Sequence, residues 1–333
     1  MLAVSSYGSQ LLALASMKRN QADFDTLSQQ LATGVKSADL SAYGGTDAQR
    51  ILDSHQEVAR RTAYNKGIDI VEPQLKAYDL QFGRMEDLAT LAEKALGGQD
   101  SYDADNVAQL GTQIDNVLRD LTSLLNERVA GQNVWGGRNS DTLPVTDLTT
   151  LPTLAAADPF VAVGDPAAGD YTLPDYHAGA PGTDQAAWTK AVFSPETGRT
   201  VQYGQVANEP AIQRLVYALR LAKSGVEAAQ AAATPAAAEA AFDSFRQQSI
   251  DELSSSRNGL RALRADVSTD LKSIADSREA NTAMINLMQD EHSNIVNVDK
   301  TEVAVKLTQV QAQLEATYKA TAALTQTSLL KYL

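Results

Sequence analysis

Residues 34 to 37 read Gly-Val-Lys-Ser, bringing together a glycine, a lysine and a hydroxyl, the residue types that hold a phosphate. A phosphate-binding loop needs G-x-x-x-x-G-K-[ST] after a strand, because consecutive backbone amides must curl around the anion. Here Val35 separates Gly34 from Lys36, and the residues before them carry a helical stripe. The stretch therefore reads as a joint that ends a helix, glycine being the usual residue just past a helix end. The three histidines, His55, His177 and His292, lie far apart and form no spaced ligand pair, so no metal site is expected. Asp141, Asp147, Asp158, Asp165, Asp170, Asp175 and Asp184 could supply a carboxylate pair for hydrolysis. Most of them sit beside Pro, Gly, Thr or Leu in turn contexts, where aspartate is favoured by its local hydrogen bonds. Trp135 and Trp188 could stack on sugars, but buried anchors of a small domain are the expectation. No catalytic residue, cofactor or metal is expected, and the chain does not read as an enzyme.

The composition narrows the partners. A net charge of -13 over 333 residues repels nucleic acid and anionic membrane, so neither is an expected partner. With no cysteine there are no disulfides, thiol nucleophiles or thiolate metal sites. In the first residues, Lys18 and Arg19 follow the apolar stretch instead of preceding it, a poor fit to a signal peptide. No stretch is apolar for long enough to span a bilayer.

Helical periodicity dominates the rest. Ile68, Val71, Leu75, Tyr78, Phe82, Met85, Ala89, Ala92 and Leu96 step by three and four, one stripe of a long helix. Ile51 and Val58 extend it back to an Asp47 cap, making roughly 50 residues or about 75 Å. Pro73 falls inside the stripe without breaking its phase, so a kink is expected there. After Gly97 and Gly98, Val107, Leu110, Ile114, Val117, Leu121 and Leu124 mark a partner helix running to Gly131. Residues 131–209 then hold 7 of the 10 prolines, 9 of the 20 glycines and both tryptophans, which predicts a separate turn-rich domain. Runs such as DYTLPDY and TVQYG suggest short strands within it. Asn208, Glu209 and Pro210 form a helix start with Asn208 as N-cap, and Thr234 and Pro235 read as a corner before a fresh helix. From there Leu260, Leu263, Val267, Leu271, Ile274, Ile285, Met288 and Ile295 keep a heptad-like seam, with Arg278, Asn281 and His292 as polar occupants, over about 60 residues.

The two chain ends mirror each other. Met17, Phe24, Leu27 and Leu31 stripe the first segment; Val303, Leu307, Val310 and Leu314 stripe the last, continued more weakly by Thr317, Thr321 and Leu324. Neither end can bury its stripe alone, and an isolated helix of this kind is marginal in water, so ends that order on assembly are expected. The fold class is mainly α: a long antiparallel helical bundle or coiled coil built from both chain ends, with a small β-rich domain inserted in the middle. Identical copies repeating by a contact that does not close would build a tube or stacked ring.

These residues resemble the bacterial flagellin family. LSQQLATGVKS at 27–37 is similar to the end of the first flagellin helix, and IVNVDKTEVAVKLTQVQAQLEATYKATAALTQTSLLKYL at 295–333 to its terminal helix. GQNVWGGRNSDTLPV at 131–145, with Trp135, Gly136 and Gly137, resembles a segment of the junction members of that family, as does the SLLKYL ending. The chain departs from the family at ADLSAYGGTDA, which replaces the usual polar run with Asp-Asp and Pro. The likeness covers residues 1–138 and 205–333; the centre resembles nothing informative.

The resemblance implies a non-enzymatic axial protein of the flagellum, extracellular, exported by the type III apparatus without a cleaved signal peptide. It implies an inner coiled-coil layer of residues 1–40 and 295–333, a helical layer of 41–130 and 210–294, and an outward-facing insert of 131–209. The self-assembly seam would be Met17, Phe24, Leu27, Leu31, Val303, Leu307, Val310, Leu314 and Leu324, and Gly34, Gly44 and Gly45 would connect the layers. Expected partners are copies of itself, a hook-associated protein on the hook side, flagellin or another junction protein on the filament side, and an export chaperone. The competing readings are filament flagellin and, in another class, an extracellular binding module on a helical stalk.

Overall fold

The computed structural model describes residues 2–98, 103–129, 131–137, 141, 143–151, 153–155, 160 and 190–329, leaving aside the side chains of residues 2–7, 9, 10 and 324–329. Asp158, Asp165, Asp170, Asp175, Asp184, His177, Trp188, the DYTLPDY run, the final Leu-Lys-Tyr-Leu and the Leu324 side chain lie outside what is described. Six helices carry the described chain: α1 (Leu2–Thr33), α2 (Gly45–Gly97), α3 (Ala104–Leu125), α4 (Pro210–Ala231), α5 (Pro235–Val296) and α6 (Lys300–Leu329). Two antiparallel hairpins accompany them: β1 (Arg128–Val129) with β2 (Gln132–Asn133), and β3 (Val192–Glu196) with β4 (Arg199–Gln202). The chain divides into two compact units, Met1–Arg61 with Ala283–Leu333, and Thr62–Thr282.

In the Thr62–Thr282 unit the nine-residue stripe from Ile68 to Leu96 is buried throughout, and α2 runs unbroken across Pro73. The stripe of α3 is buried with it, although that helix stops at Leu125, short of Gly131. There the Asn126 side chain turns to hydrogen-bond both backbone groups of Val145, at 3.0 and 3.1 Å, so an amide-to-backbone pairing replaces further helix. Helix α4 is buried almost all round, including Gln213, Arg220 and Ser224, the pattern of a helix inside a bundle. Burial lowers the Arg220 pKa to about 10.

Small residues let helices approach α4 closely. A Cβ on Gly259 of α5 would lie 2.8 Å from the Ala211 Cβ, and one on Gly225 of α4 would lie 2.7 Å from the Phe245 Cβ. Ser249 and Ser256 of α5 donate to the Ala218 and Ala211 carbonyls at 2.7 Å each. Such buried hydroxyls satisfied by backbone fix the rotation of one helix on another.

The start of α4 differs from the sequence expectation. Glu209, not Asn208, occupies the N-cap without a side-chain cap bond, and Pro210 opens the helix. The Glu209 carboxylate is held instead by Lys190 at 2.6 Å, and the Asn208 carbonyl accepts from the Gln213 side chain. At the other end, α4 stops at Ala231 and α5 starts at Pro235, with proline in its favoured first turn.

The described parts of 131–209 share the helices' core and do not form one of their own. Val134, Trp135, Val145, Leu148, Val201 and Ala207 all belong to it. Asp147 caps the short turn Leu148–Thr150 by accepting from the Thr149 amide at 3.0 Å; that bond holds its carboxyl below the usual carboxylate range.

Helices α2 and α5 run antiparallel, stitched by arginines of α5. Arg257 pairs with Glu93, Arg261 with Glu86, Arg264 with Asp79 and Glu86, and Arg278 with Asp69 and Glu72. Most of these groups are partly exposed, so each pair contributes little stability; together they match one register of the two helices. Inside the ladder Asn281 is fully buried, donating to the Asn65 side chain at 3.1 Å and to the Pro195 carbonyl at 3.2 Å. The polar occupant of the apolar seam thus anchors the β3–β4 hairpin.

Candidate assembly surface

Within the unit of Met1–Arg61 and Ala283–Leu333, α1 and α6 lie against each other in antiparallel sense. Val35 bridges Asn297 at one end, and farther along the Gln21 amide donates to the Tyr318 hydroxyl at 2.8 Å. The seam residues fall in register with that contact, but they are only partly covered. Met17, Phe24, Leu27, Leu31, Leu307, Val310 and Leu314 are all half-buried, and Val303, at 6% exposure, is the buried one. Around them Leu11, Leu12, Leu14 and Val305 are exposed, Leu12 by 74%. Two helices meeting along one line cannot enclose stripes this wide, because each stripe spans more of the helix circumference than a single neighbour covers.

The joint beside this pair is built from both chain halves. Gly34 takes φ +78 with its amide donating to the Gln30 carbonyl at 2.8 Å, a left-handed cap that ends α1. Its carbonyl accepts from the Val298 amide at 3.0 Å, and the Lys36 amide donates to the Val296 carbonyl at 2.8 Å. The Lys36 ammonium then reaches the Ile295 carbonyl at 2.6 Å, placing a cation at the negative end of α5. So the lysine that suggested a phosphate loop binds carbonyls. The Tyr43 hydroxyl closes the joint on both backbone groups of Ser37, and Ile51, Ile295 and Val296 form a small core beneath Val35 and Tyr43. Asp299 starts α6 by accepting from the Thr301 and Glu302 amides, which hold its carboxyl below the usual range.

The three connector glycines have different duties. Only Gly34 has a left-handed φ, whereas Gly44 precedes α2, Gly45 is its first residue, and a Cβ at either would meet nothing. Gly34→Ala is therefore expected to destabilise the joint by about 1 kcal/mol or more, since its Cβ would also lie 3.1 Å from the Lys300 side chain. Limited proteolysis should show faster cleavage at residues 34–44 in this variant, and Gly44→Ala should behave as the parent.

Trp135, Gly136 and Gly137 lie in the other unit, at a backbone strap. The Trp135 carbonyl accepts from the Ala207 amide at 3.0 Å, Gly136 bridges Val206, and the Gly137 amide donates to the Gln205 carbonyl at 3.1 Å. The indole is fully buried, edge-on to Tyr78 at 5.2 Å and Phe82 at 5.1 Å. The Tyr78 hydroxyl donates to the Val134 carbonyl at 2.5 Å and accepts from the Gln205 amide at 3.1 Å; burial pushes its pKa up. The motif thus fastens the segment before α4 to α2, and Trp135 is a core anchor, not a sugar platform.

One pairing escaped the sequence reading: His55 of α2 and His292 of α5, 237 positions apart in the chain, have ring centroids 4.7 Å apart. No cluster of three or more His, Asp or Glu able to hold a metal occurs among the described residues, and no described helix is long and apolar enough to cross a membrane.

No protein-family model matches the chain, and a comparison with curated proteins gives no match. Among solved structures, the chain is similar to one from Vibrio parahaemolyticus assigned as a flagellar hook-associated protein, with a TM-score of 0.53 and 9% identity over 76% of this chain and 99% of that one. A structure of Bacillus cereus FlgL aligns over 91% of this chain and 99% of that one at 14% identity, but its TM-score of 0.24 carries no weight. The Vibrio structure shows a shared fold, found independently of the motifs at 27–37, 131–145 and 295–333 that resemble the flagellin family.

Proposed function

We propose that this chain is a structural subunit of the bacterial flagellum, of the FlgL-type hook-associated class, forming the junction between hook and filament by head-to-tail self-assembly. The observation that carries this reading is the half-covered seam of α1 and α6, which neighbouring copies would complete. The fold shared with a hook-associated protein and the Trp135-Gly136-Gly137 segment support the junction role over a filament role. In this reading the subunit is exported through the type III apparatus with a chaperone on its ends, and works outside the cell without cofactor or catalysis. Its neighbours are other copies, a hook-associated protein towards the hook, and flagellin or another junction protein towards the filament.

Immunogold electron microscopy of intact flagella, with antibody to residues 131–209, tests the placement. A narrow band of label where hook meets filament is the expected result. Label along the whole filament, or ready growth of long filaments by the purified chain on seeds, would overturn the junction role in favour of a filament subunit.

A further inference from the structure

The pairing of His55 and His292 has no part in the assembly reading, and it brings together two imidazoles from helices far apart in sequence. Both belong to the Met1–Arg61 and Ala283–Leu333 unit. His55 is exposed and His292 half-buried, with rings inclined at 30°. Beneath them Ile51 and Ile295 are buried in the small core, which holds the two backbones in place. Arg50 and Glu291, one possible source of competing charge, are engaged with each other through two hydrogen bonds of 3.0 and 2.8 Å to one carboxylate oxygen.

We propose that His55 and His292 form a two-imidazole site for a late first-row divalent cation, Cu2+, Ni2+ or Zn2+, that clamps α2 to α5, with water completing the coordination. Imidazole nitrogen suits these ions, and affinity across them follows the order that peaks at Cu2+. Ligand bonds of about 2.0–2.1 Å at a tetrahedral angle place two nitrogens about 3.3 Å apart. Rings whose centroids are 4.7 Å apart reach that arrangement by turning about χ2 and parting slightly, which the exposure of His55 permits. Neutral imidazole is the ligand form, so metal binding competes with protonation. With two protein ligands the site should bind more weakly than a structural zinc site of four.

Isothermal titration of the untagged full chain with NiCl2, ZnCl2 and CuCl2 at pH 7.5 tests this. One site per chain is expected, tightest for copper, with at least about tenfold weaker binding in His55→Asn and in His292→Asn. His177→Asn should bind as the parent. Binding should fade at pH 5.5 as protons compete for the imidazoles, and the metal should raise the melting temperature of the parent but of neither paired variant. The proposal is overturned if the chain binds none of the three ions at millimolar concentration, or if the two variants bind as the parent does. His55 is exposed and His292 half-buried, so circular dichroism of each variant serves to check that its helix content matches the parent's. The outcome is independent of where the subunit sits in a flagellum.

Discussion

Replacing Leu307 and Leu314 together by aspartate is expected to abolish incorporation into the flagellum while leaving most of the purified chain's helix intact. Both side chains are half-buried on α6, so in the free chain a carboxylate at either position keeps access to water. Once neighbouring copies cover the seam, each charge loses that access, at an effective cost of several kcal/mol per buried ion. The penalty recurs in every subunit, and marginal terminal helices have little stability to offset it. Sedimentation or electron microscopy of the assembled structure reads the first effect, and circular dichroism of the monomer the second. Assembly at the parental level would refute the seam assignment. A large loss of helix and of melting temperature in the monomer would show that the ends already carry its stability, against the expectation that they order on assembly.

Trp135→Ala should destabilise the folded chain by about 3–5 kcal/mol, the range for deleting a buried aromatic. The indole is fully enclosed in the core with two edge-to-face neighbours, and each such pair adds about 0.5–1.5 kcal/mol to area burial. Its ring nitrogen has no hydrogen-bond partner among the described residues, so Trp135→Phe loses volume and none of the described hydrogen bonds and should cost markedly less than the alanine change. Urea unfolding reads both: the midpoint should fall steeply for alanine and modestly for phenylalanine, with the slope nearly unchanged. Equal midpoints for Trp135→Ala and the parent would mean that the strap across residues 205–207 holds without its anchor.

These effects differ in how far they could be read from the sequence. The α2 stripe from Ile68 to Leu96 is legible because a three-four alternation has one physical solution, a helix with that face buried, and each of those residues is buried. The corner at Thr234 and Pro235 and the helix end at Gly34 are legible for a similar reason: proline and glycine act through local backbone geometry. The burial of α4 was less legible. Its sequence, with Gln213, Arg220 and Ser224 inside, does not announce a central helix, because polar groups are placed inside by partners that periodicity does not name.

By itself, then, the sequence determined the local choices: where helices run, which face of each is apolar, where glycine or proline must end one, and that both chain ends carry stripes they cannot bury alone. Tertiary structure alone decided which residues meet. It set Lys36 on the end of α5, Asn281 on the Pro195 carbonyl, His55 beside His292, and the described parts of 131–209 in the helices' core. The physical reason is range. Helix propensity and capping act over a few neighbouring residues, whereas the first three of these contacts join positions from 86 to 259 apart in the chain, and only packing of whole helices fixes which of them come within reach.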